Sequence, residues 1–350
     1  MRIDQLSFTR FIGAIFVLAF HYGNNVFPFN GYIFSIIVKQ APSVVGYFFV
    51  LSGFVMIIAY NKKKDVLFSD FIKKRIARIY PIYIIALCLS VSLYFLFKMP
   101  LNYTELIMNI FMIQSWFPGS ALSLNSPGWS LAVEFFFYLS FPILFAFYRK
   151  ANYKIISITI ITYWVLSQVL IYYLMSSGFD KGFPSHSHDF VYYFPIIHLN
   201  EFLVGNLAGL FYFRRIESHI NRNYDWWILG VIFLLFLVFK HPLELNYFDG
   251  LLAVLFVPFI LLISLNSGAI TNIMQRKIFV FLGDISYGMY ILQMPIHTFS
   301  IGLFSHIYIE NEQVQFYLFC LTLIIISAIS YKYIEMPLRN YFSNWRFSKG

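Results

Sequence analysis

The chain has 350 residues, of which 59% are hydrophobic and 21% aromatic, while only 12% are charged, with a formal net charge of +9. A soluble domain is nearer half apolar and a quarter charged, so this composition excludes one. Apolar runs recur that reach the roughly 20 residues a bilayer crossing needs. They are continuous rather than alternating, so helices and not a closed barrel satisfy the backbone polar groups. The expected fold class is all-α, a polytopic transmembrane helical bundle.

Ten runs read as spans: 8–25, 43–60, 79–97, 129–148, 154–175, 190–213, 226–240, 250–266, 279–304 and 314–334. An eleventh stretch, 105–116, carries Glu105 and Gln114 and is too short, which predicts an interfacial or re-entrant segment. With a cytoplasmic N-terminus, ten spans put 21 of the 25 Lys and Arg on the inner side; only Lys39, Lys98, Lys181 and Lys240 lie outside. The basic balance is therefore an orientation signal rather than a nucleic-acid footprint, and both termini are expected in the cytoplasm. The expected domains are a membrane domain over 1–340 and a short cytoplasmic tail over 341–350, with no soluble domain after the last span. The first run lacks a small-x-small cleavage site and reads as a retained span. Cys88 and Cys320 fall inside apolar runs, so no disulfide framework is implied.

The first span opens with "RFIGAIFVLAFHYG", in which Arg10 and His21 stand eleven residues apart. Eleven residues are close to three helical turns, which puts both on one stripe about 16 Å apart. Ionisable residues in a span usually face a cavity or the bundle interior and mark a functional path. The plainer reading is a snorkelling Arg and a His bonded at the outer interface. In "FIKKRIARIYPIY", Arg75 and Arg78 share a helical face at the cytoplasmic mouth, level with Arg10. Guanidiniums there match phosphate geometry; a basic loop that sets topology and meets anionic lipid has the same composition. In "NSPGWSLAVEFFFY", Pro127 and Gly128 mark a break, a helix starts near Ser130, and Glu134 sits one turn inside the outer boundary. That depth allows an imidazole–carboxylate pair with His21; the alternative is a Glu that is protonated or packed against a polar neighbour.

Other intramembrane polar residues are Ser52 in "FFVLSGF", His198 and Glu201 in "IIHLNEFLVG", and Asp284, Gln293 and His297 in "GDISYGMYILQMPIH". Ser52-Gly53 reads as a close helix contact before a nucleophile. His198 and Glu201 have i, i+3 spacing, but one such pair without a second His cluster indicates no metal. A nucleophile elbow, a P-loop and a G-x-G-x-x-G are absent from the sequence.

Taken in order, these pieces resemble the acyltransferase 3 family of integral-membrane acyltransferases. They are Arg10-x10-His21, "FFVLSGF", Arg75-x-x-Arg78 with "IYPIY", "GWSLAVEFFFY", "LNEFLVG", "GDISYGMYILQMP" and "YIEMPLR" with Glu335. The resemblance implies transfer of an acyl group, commonly acetyl, from cytoplasmic acyl-coenzyme A to a hydroxyl of a surface or lipid-linked glycan, in a bacterial inner membrane. It implies no resident cofactor, acyl-coenzyme A being a co-substrate. The expected partners are that donor, a glycan or glycolipid acceptor and the lipid bilayer. It implies that Arg10, His21, Arg75 and Arg78 are functional; on the reading of the residues, the three arginines bind the donor, His21 is catalytic as base or transiently acylated group, and Glu134 orients its ring. Ser52, His198, Glu201 and Gln293 are expected to line the path. There are departures: the family's Tyr-x-x-His-x-Pro has Gln293 at its His position, and His198 stands where Arg is common. Many relatives carry a soluble hydrolase-like domain after the last span. Two other classes stay open: a transporter or flippase for a lipid-linked glycan, and a structural scaffold or sensor of the cell envelope.

Overall fold

A computed structural model describes residues 3–63, 66–215, 222–242 and 245–344. Of the basic residues counted for orientation, Arg2, Lys64, Arg346, Lys349 and the side chain of Arg215 lie outside the described parts, as does the expected tail beyond 344. In chain order the helices are α1 (Gln5–Tyr22), α2 (Tyr32–Lys39), α3 (Val44–Tyr60), α4 (Phe68–Leu96), α5 (Tyr103–Ile110), α6 (Gly128–Lys150), α7 (Tyr153–Ser176) and α8 (His186–Tyr193). They continue as α9 (Leu199–Arg215), α10 (Asp225–Lys240), α11 (Ala253–Leu265), α12 (Ala269–Met274), α13 (Lys277–His306), α14 (Glu312–Ser330) and α15 (Met336–Asn344). A π-helical turn, Tyr331–Glu335, joins the last two. The described residues contain no strand, only an isolated bridge between Arg222 and Asn266. The all-helical class is as expected.

Among the described residues, six helical stretches are long and apolar enough to cross a membrane: Ala41–Tyr60, Phe68–Leu96, Gly128–Lys150, Tyr153–Ser176, Lys277–His306 and Glu312–Phe342. The remaining four of the ten expected spans differ for local reasons. α1 has 18 residues, but Gln5, Arg10 and His21 fall within it. The run 190–213 is broken, because Pro195 disfavours helical geometry at Phe194, which is extended at ψ 128°. The run 250–266 is shortened to the 13 residues of α11 by a turn at Gly250, whose φ is +96°. α10 has 16 residues. α5, at eight residues, is about 12 Å long and falls well short of a crossing.

The chain divides into two compact units. Unit 1 comprises Met1–Lys64 and Phe147–Asp284. Its spine is the pair α3 and α9, which touch through glycines. A Cβ on Gly53 would stand 2.1 Å from the Phe202 carbonyl oxygen, and one on Gly205 would stand 2.0 Å from that of Val50. The close contact expected at Ser52-Gly53 is thus present, and it is made by small residues as membrane helices favour. Around the spine lies a core that includes Tyr47, Phe54, Tyr212, Phe256 and Ile260.

Unit 2 comprises Asp65–Ala146 and Ile285–Gly350. α4 buries Phe71, Ala77, Ile79, Ile82, Tyr83, Ala86, Leu87, Ser90 and Leu93, whose three- and four-residue steps make one stripe. The helix begins eleven residues before the expected start of its span. Charged positions 70–78 are helical but too polar for a hydropathy window to include.

Candidate active site

In unit 1, α1 runs unbroken through both Arg10 and His21, so the shared stripe inferred from their spacing holds. Arg10 is half-buried and lies within electrostatic reach of Tyr47, whose hydroxyl shares a hydrogen bond with Thr9 Oγ1 at 2.5 Å. His21 stands exposed in the last turn, with the rings of Phe20 and Tyr22 at 5.1 and 5.8 Å. Ser52 is buried in α3.

His198 and Glu201 sit at the start of α9 and both are 1% exposed. Imidazole Nδ1 lies 2.9 Å from Glu201 Oε2, and Nε2 lies 2.9 Å from the Tyr192 carbonyl oxygen. A carbonyl only accepts, so Nε2 carries a hydrogen and donates it; a second proton is shared between Nδ1 and the carboxyl group. Both nitrogens are thereby engaged within the protein. Among the described residues, no group of three or more His, Cys, Asp or Glu is arranged to hold a metal ion. Asp249, in the turn before α11, places Oδ1 3.8 Å from Nε2. Asp249 is fully buried, and that burial pushes its carboxyl up to about 7. α7 holds this turn: Trp164 Nε1 donates to the Gly250 carbonyl and Gln168 Nε2 to that of Asp249, each at 3.0 Å. α3 presses on it as well, since a Cβ on Gly46 would meet Glu201 Oε1 at 2.3 Å.

In unit 2, Arg75 and Arg78 lie two turns inside α4 rather than in a loop. The guanidinium of Arg75 lies 5.4 Å from the centre of the Phe71 ring and 5.9 Å from that of Tyr138. Such contacts hold the guanidinium against two aromatic rings. Tyr138 Oη donates to Glu134 Oε1 at 2.6 Å, one turn back along α6. Arg78 is within electrostatic reach of both Tyr138 and Glu335. Tyr287 is within reach of Glu134, Tyr138, Glu335 and Tyr83, and donates to the Ile79 carbonyl at 2.9 Å. Glu335 is buried on the π-helical turn, where Ser330 Oγ donates to it at 3.3 Å. π-Turns inside α-helices recur at functional sites. Two guanidiniums, two carboxyl groups and two phenols therefore form one network within this unit.

Gln293 is buried in α13, and its Nε2 donates to the Tyr290 carbonyl at 2.8 Å. Pro295 has no N–H, so the Ile291 carbonyl loses its helical partner; Asn125 Nδ2 supplies the replacement at 3.1 Å. Gln114 Nε2 donates to the Gly128 carbonyl at 3.0 Å, and Ser130 Oγ to Tyr290 Oη at 3.0 Å.

Tyr138, Tyr287, Asp249, Asn125 and Gln114 were not singled out from the sequence as site residues. Tyr138 had a usable signal, its i+4 spacing from Glu134. Asn125 also had one, an Asn before the Pro-Gly break. Asp249 had none, being 51 residues from His198 in a turn.

The acyltransferase MdmB of Streptomyces mycarofaciens is 27% identical over 228 residues, covering 60% of this chain and 57% of that protein. The O-acetyltransferase OatA of Staphylococcus aureus is 24% identical over 325 residues, covering 83% of this chain and 51% of that protein. The peptidoglycan O-acetyltransferase OatA of Listeria monocytogenes is 27% identical, with 98% and 58% covered. The chain thus spans about half the length of the curated relatives it matches. No solved structure matches. The family profile described as an acyltransferase domain, Acyl_transf_3, matches residues 3–332, and the chain belongs to that family of acyltransferases.

Proposed function

We propose that the protein is a membrane O-acetyltransferase that moves an acetyl group from cytoplasmic acetyl-coenzyme A to a hydroxyl of a cell-surface or lipid-linked glycan. The observation that carries this reading is the family match over 3–332, together with relatives named as O-acetyltransferases. The chain crosses the membrane ten times with both termini in the cytoplasm, the arrangement that keeps 21 of 25 basic residues inside. In unit 2, the Arg75–Tyr138–Glu134 network supports a role in holding a polyanion: Arg75 is pre-oriented by two rings, and Arg78 is its neighbour one turn on. Arg10 is the corresponding donor-binding residue of unit 1.

His21 is the group assigned to the chemistry. As a general base, its imidazole takes the proton of the acceptor hydroxyl while that oxygen attacks the thioester carbonyl carbon. The carbon–sulfur bond then breaks, and the departing thiolate recovers the proton from the imidazolium. In the covalent alternative, the imidazole nitrogen attacks the thioester first, releases coenzyme A and passes the acetyl group to the hydroxyl. The first route leaves no labelled protein; the second leaves an acid-quenchable acetyl-His. Glu134 is assigned an orienting role through its hydrogen-bonded network with Tyr138.

The experiment is transfer from labelled acetyl-coenzyme A by the purified chain in lipid, with wild type beside Arg75→Ala/Arg78→Ala. A donor KM raised at least about tenfold in the double variant supports the donor assignment, since losing one bidentate contact costs more than about 1.4 kcal/mol. An unchanged donor KM returns these arginines to a topology signal.

One observation favours a second reading, a transporter for a lipid-linked glycan. The His198–Glu201–Asp249 cluster is a buried proton-holding site of the sort that proton-coupled carriers use. Glycan movement across sealed vesicles without acetyl transfer would select it.

A further inference from the structure

Three side-chain amides in unit 2 share an unusual condition. Gln114, Asn125 and Gln293 are 0, 1 and 1% exposed, and each has its NH2 group bound to a main-chain carbonyl. Those bonds fix the amide orientations, because a flip would set oxygen against oxygen. The oxygens left over, Gln114 Oε1, Asn125 Oδ1 and Gln293 Oε1, have no hydrogen-bond partner within the protein. A buried acceptor without a donor costs about 1–3 kcal/mol, so three in one neighbourhood are a substantial burden. They do share a neighbourhood. Gln114 binds the Gly128 carbonyl, the Gly128 N–H binds the Asn125 carbonyl, and Asn125 and Gln293 bind the adjacent carbonyls of Ile291 and Tyr290.

The backbone beside two of them is also strained. Met112 and Leu124 are bulky residues at φ +56° and +58°, both buried, flanking Gln114 and Asn125. Left-handed conformations of such residues are uncommon and cluster at binding sites and switch segments. Orphaned acceptors and strained backbone together mark a segment whose resting arrangement is held at a cost that a ligand can relieve.

The chemistry of that ligand follows from what the site offers. Three oxygens that accept call for a ligand that presents several O–H or N–H donors, as phosphate and carboxylate do not. A sugar with neighbouring hydroxyls meets that demand, and so do the amides of a pantetheine arm. We propose that Gln114, Asn125 and Gln293 form the subsite for the acceptor, taking hydrogen bonds from hydroxyls of a sugar ring. This rests on the glycan O-acetyltransferase reading and extends it to acceptor-binding residues. Because the oxygens are unexposed at rest, the sugar enters as the segment around Phe117–Ser120, exposed at Phe117 and Gly119, shifts outward.

The test uses the full chain in lipid nanodiscs, with Gln293→Met and Gln114→Met, which keep side-chain length and remove the amide. The probes are chitopentaose for the polyhydroxyl class and desulfo-coenzyme A for the pantetheine class. Two results are expected. Chitopentaose raises the melting temperature of wild type and raises that of the variants at least tenfold less sensitively in concentration. The desulfo-coenzyme A shift is the same in all three proteins. A chitopentaose response that is absent in wild type or equal in the variants would overturn the proposal, and so would loss of the desulfo-coenzyme A shift instead. These are binding readouts, so they decide the subsite even if labelled acetyl-coenzyme A yields no transfer in wild type, a result that removes the acetyltransferase reading alone.

Discussion

Gly53→Ala tests the spine on which unit 1 is built. The added Cβ would stand 2.1 Å from the Phe202 carbonyl oxygen and 3.0 Å from the Asn206 nitrogen. A carbon–oxygen contact needs about 3.3 Å, so α3 and α9 must part by about 1.2 Å. The obstacle is the α9 backbone, which cannot rotate away. Parting the pair loosens contacts along the whole spine, including Gly46 against Glu201. Overpacking of this severity costs about 3 kcal/mol, the upper end of the usual range. At about 2–4 °C per kcal/mol for a unit of this size, the melting temperature falls by about 6–12 °C. Gly230→Ala is the paired control: it is also helical, in α10, and its Cβ would meet nothing within 4 Å. Ala is favoured over Gly inside a helix by about 0.5–1 kcal/mol, so this variant melts about 2 °C higher. The assay is thermal unfolding of both variants in the same detergent. A Gly53→Ala protein that melts within about 1 °C of wild type would refute the packing argument.

Asn125→Leu leaves the Ile291 carbonyl without a donor and destabilises by about 1–3 kcal/mol; Pro295→Ala restores an N–H to that carbonyl, so a double-mutant cycle should show positive coupling of about 1 kcal/mol, and strict additivity would argue against the replacement role. Tyr138→Leu removes one of the two rings beside Arg75 and should raise the donor KM about threefold, while Tyr138→Phe keeps the ring and leaves the donor KM within about twofold; equal effects would assign the loss to the hydroxyl. Asp249 has a folded-state value of about 7, raised by burial above its ordinary 3.8. The unfolded chain releases that proton more readily, so stability present at low pH is lost as pH rises through 7. Melting temperature should therefore decline between about pH 4 and 7 and level off above that, and Asp249→Asn should flatten the decline; an unaltered slope would exclude Asp249 as its source.

Much of this was legible in the residues because helical geometry is local. The Arg10–His21 stripe needs only an unbroken α1, and the Arg75–Arg78 face needs only an unbroken α4; both are present. Gly53 announced a close contact because small residues have few other uses inside an apolar helix. Boundaries fared worse, since hydropathy records apolarity and not direction. The run 190–213 continued across the break at Phe194–Pro195, where apolar residues carry on through a change of course. The charged start of α4 was excluded because its polar residues look like loop. Asp249 was out of reach altogether: the turn that brings it to His198 depends on Trp164 and Gln168 of α7, a tertiary arrangement that no periodicity encodes.

The most direct measurement of the central claim uses sealed proteoliposomes, with labelled acetyl-coenzyme A on the cytoplasmic face and a polyhydroxyl glycan trapped on the opposite side. Wild-type protein should place the acetyl label on the trapped glycan as an O-ester, and His21→Ala should insert equally well and place none. Label that reaches the glycan equally in the His21→Ala protein would contradict the chemistry assigned here, and a wild-type protein that leaves the thioester intact would contradict acyl transfer itself.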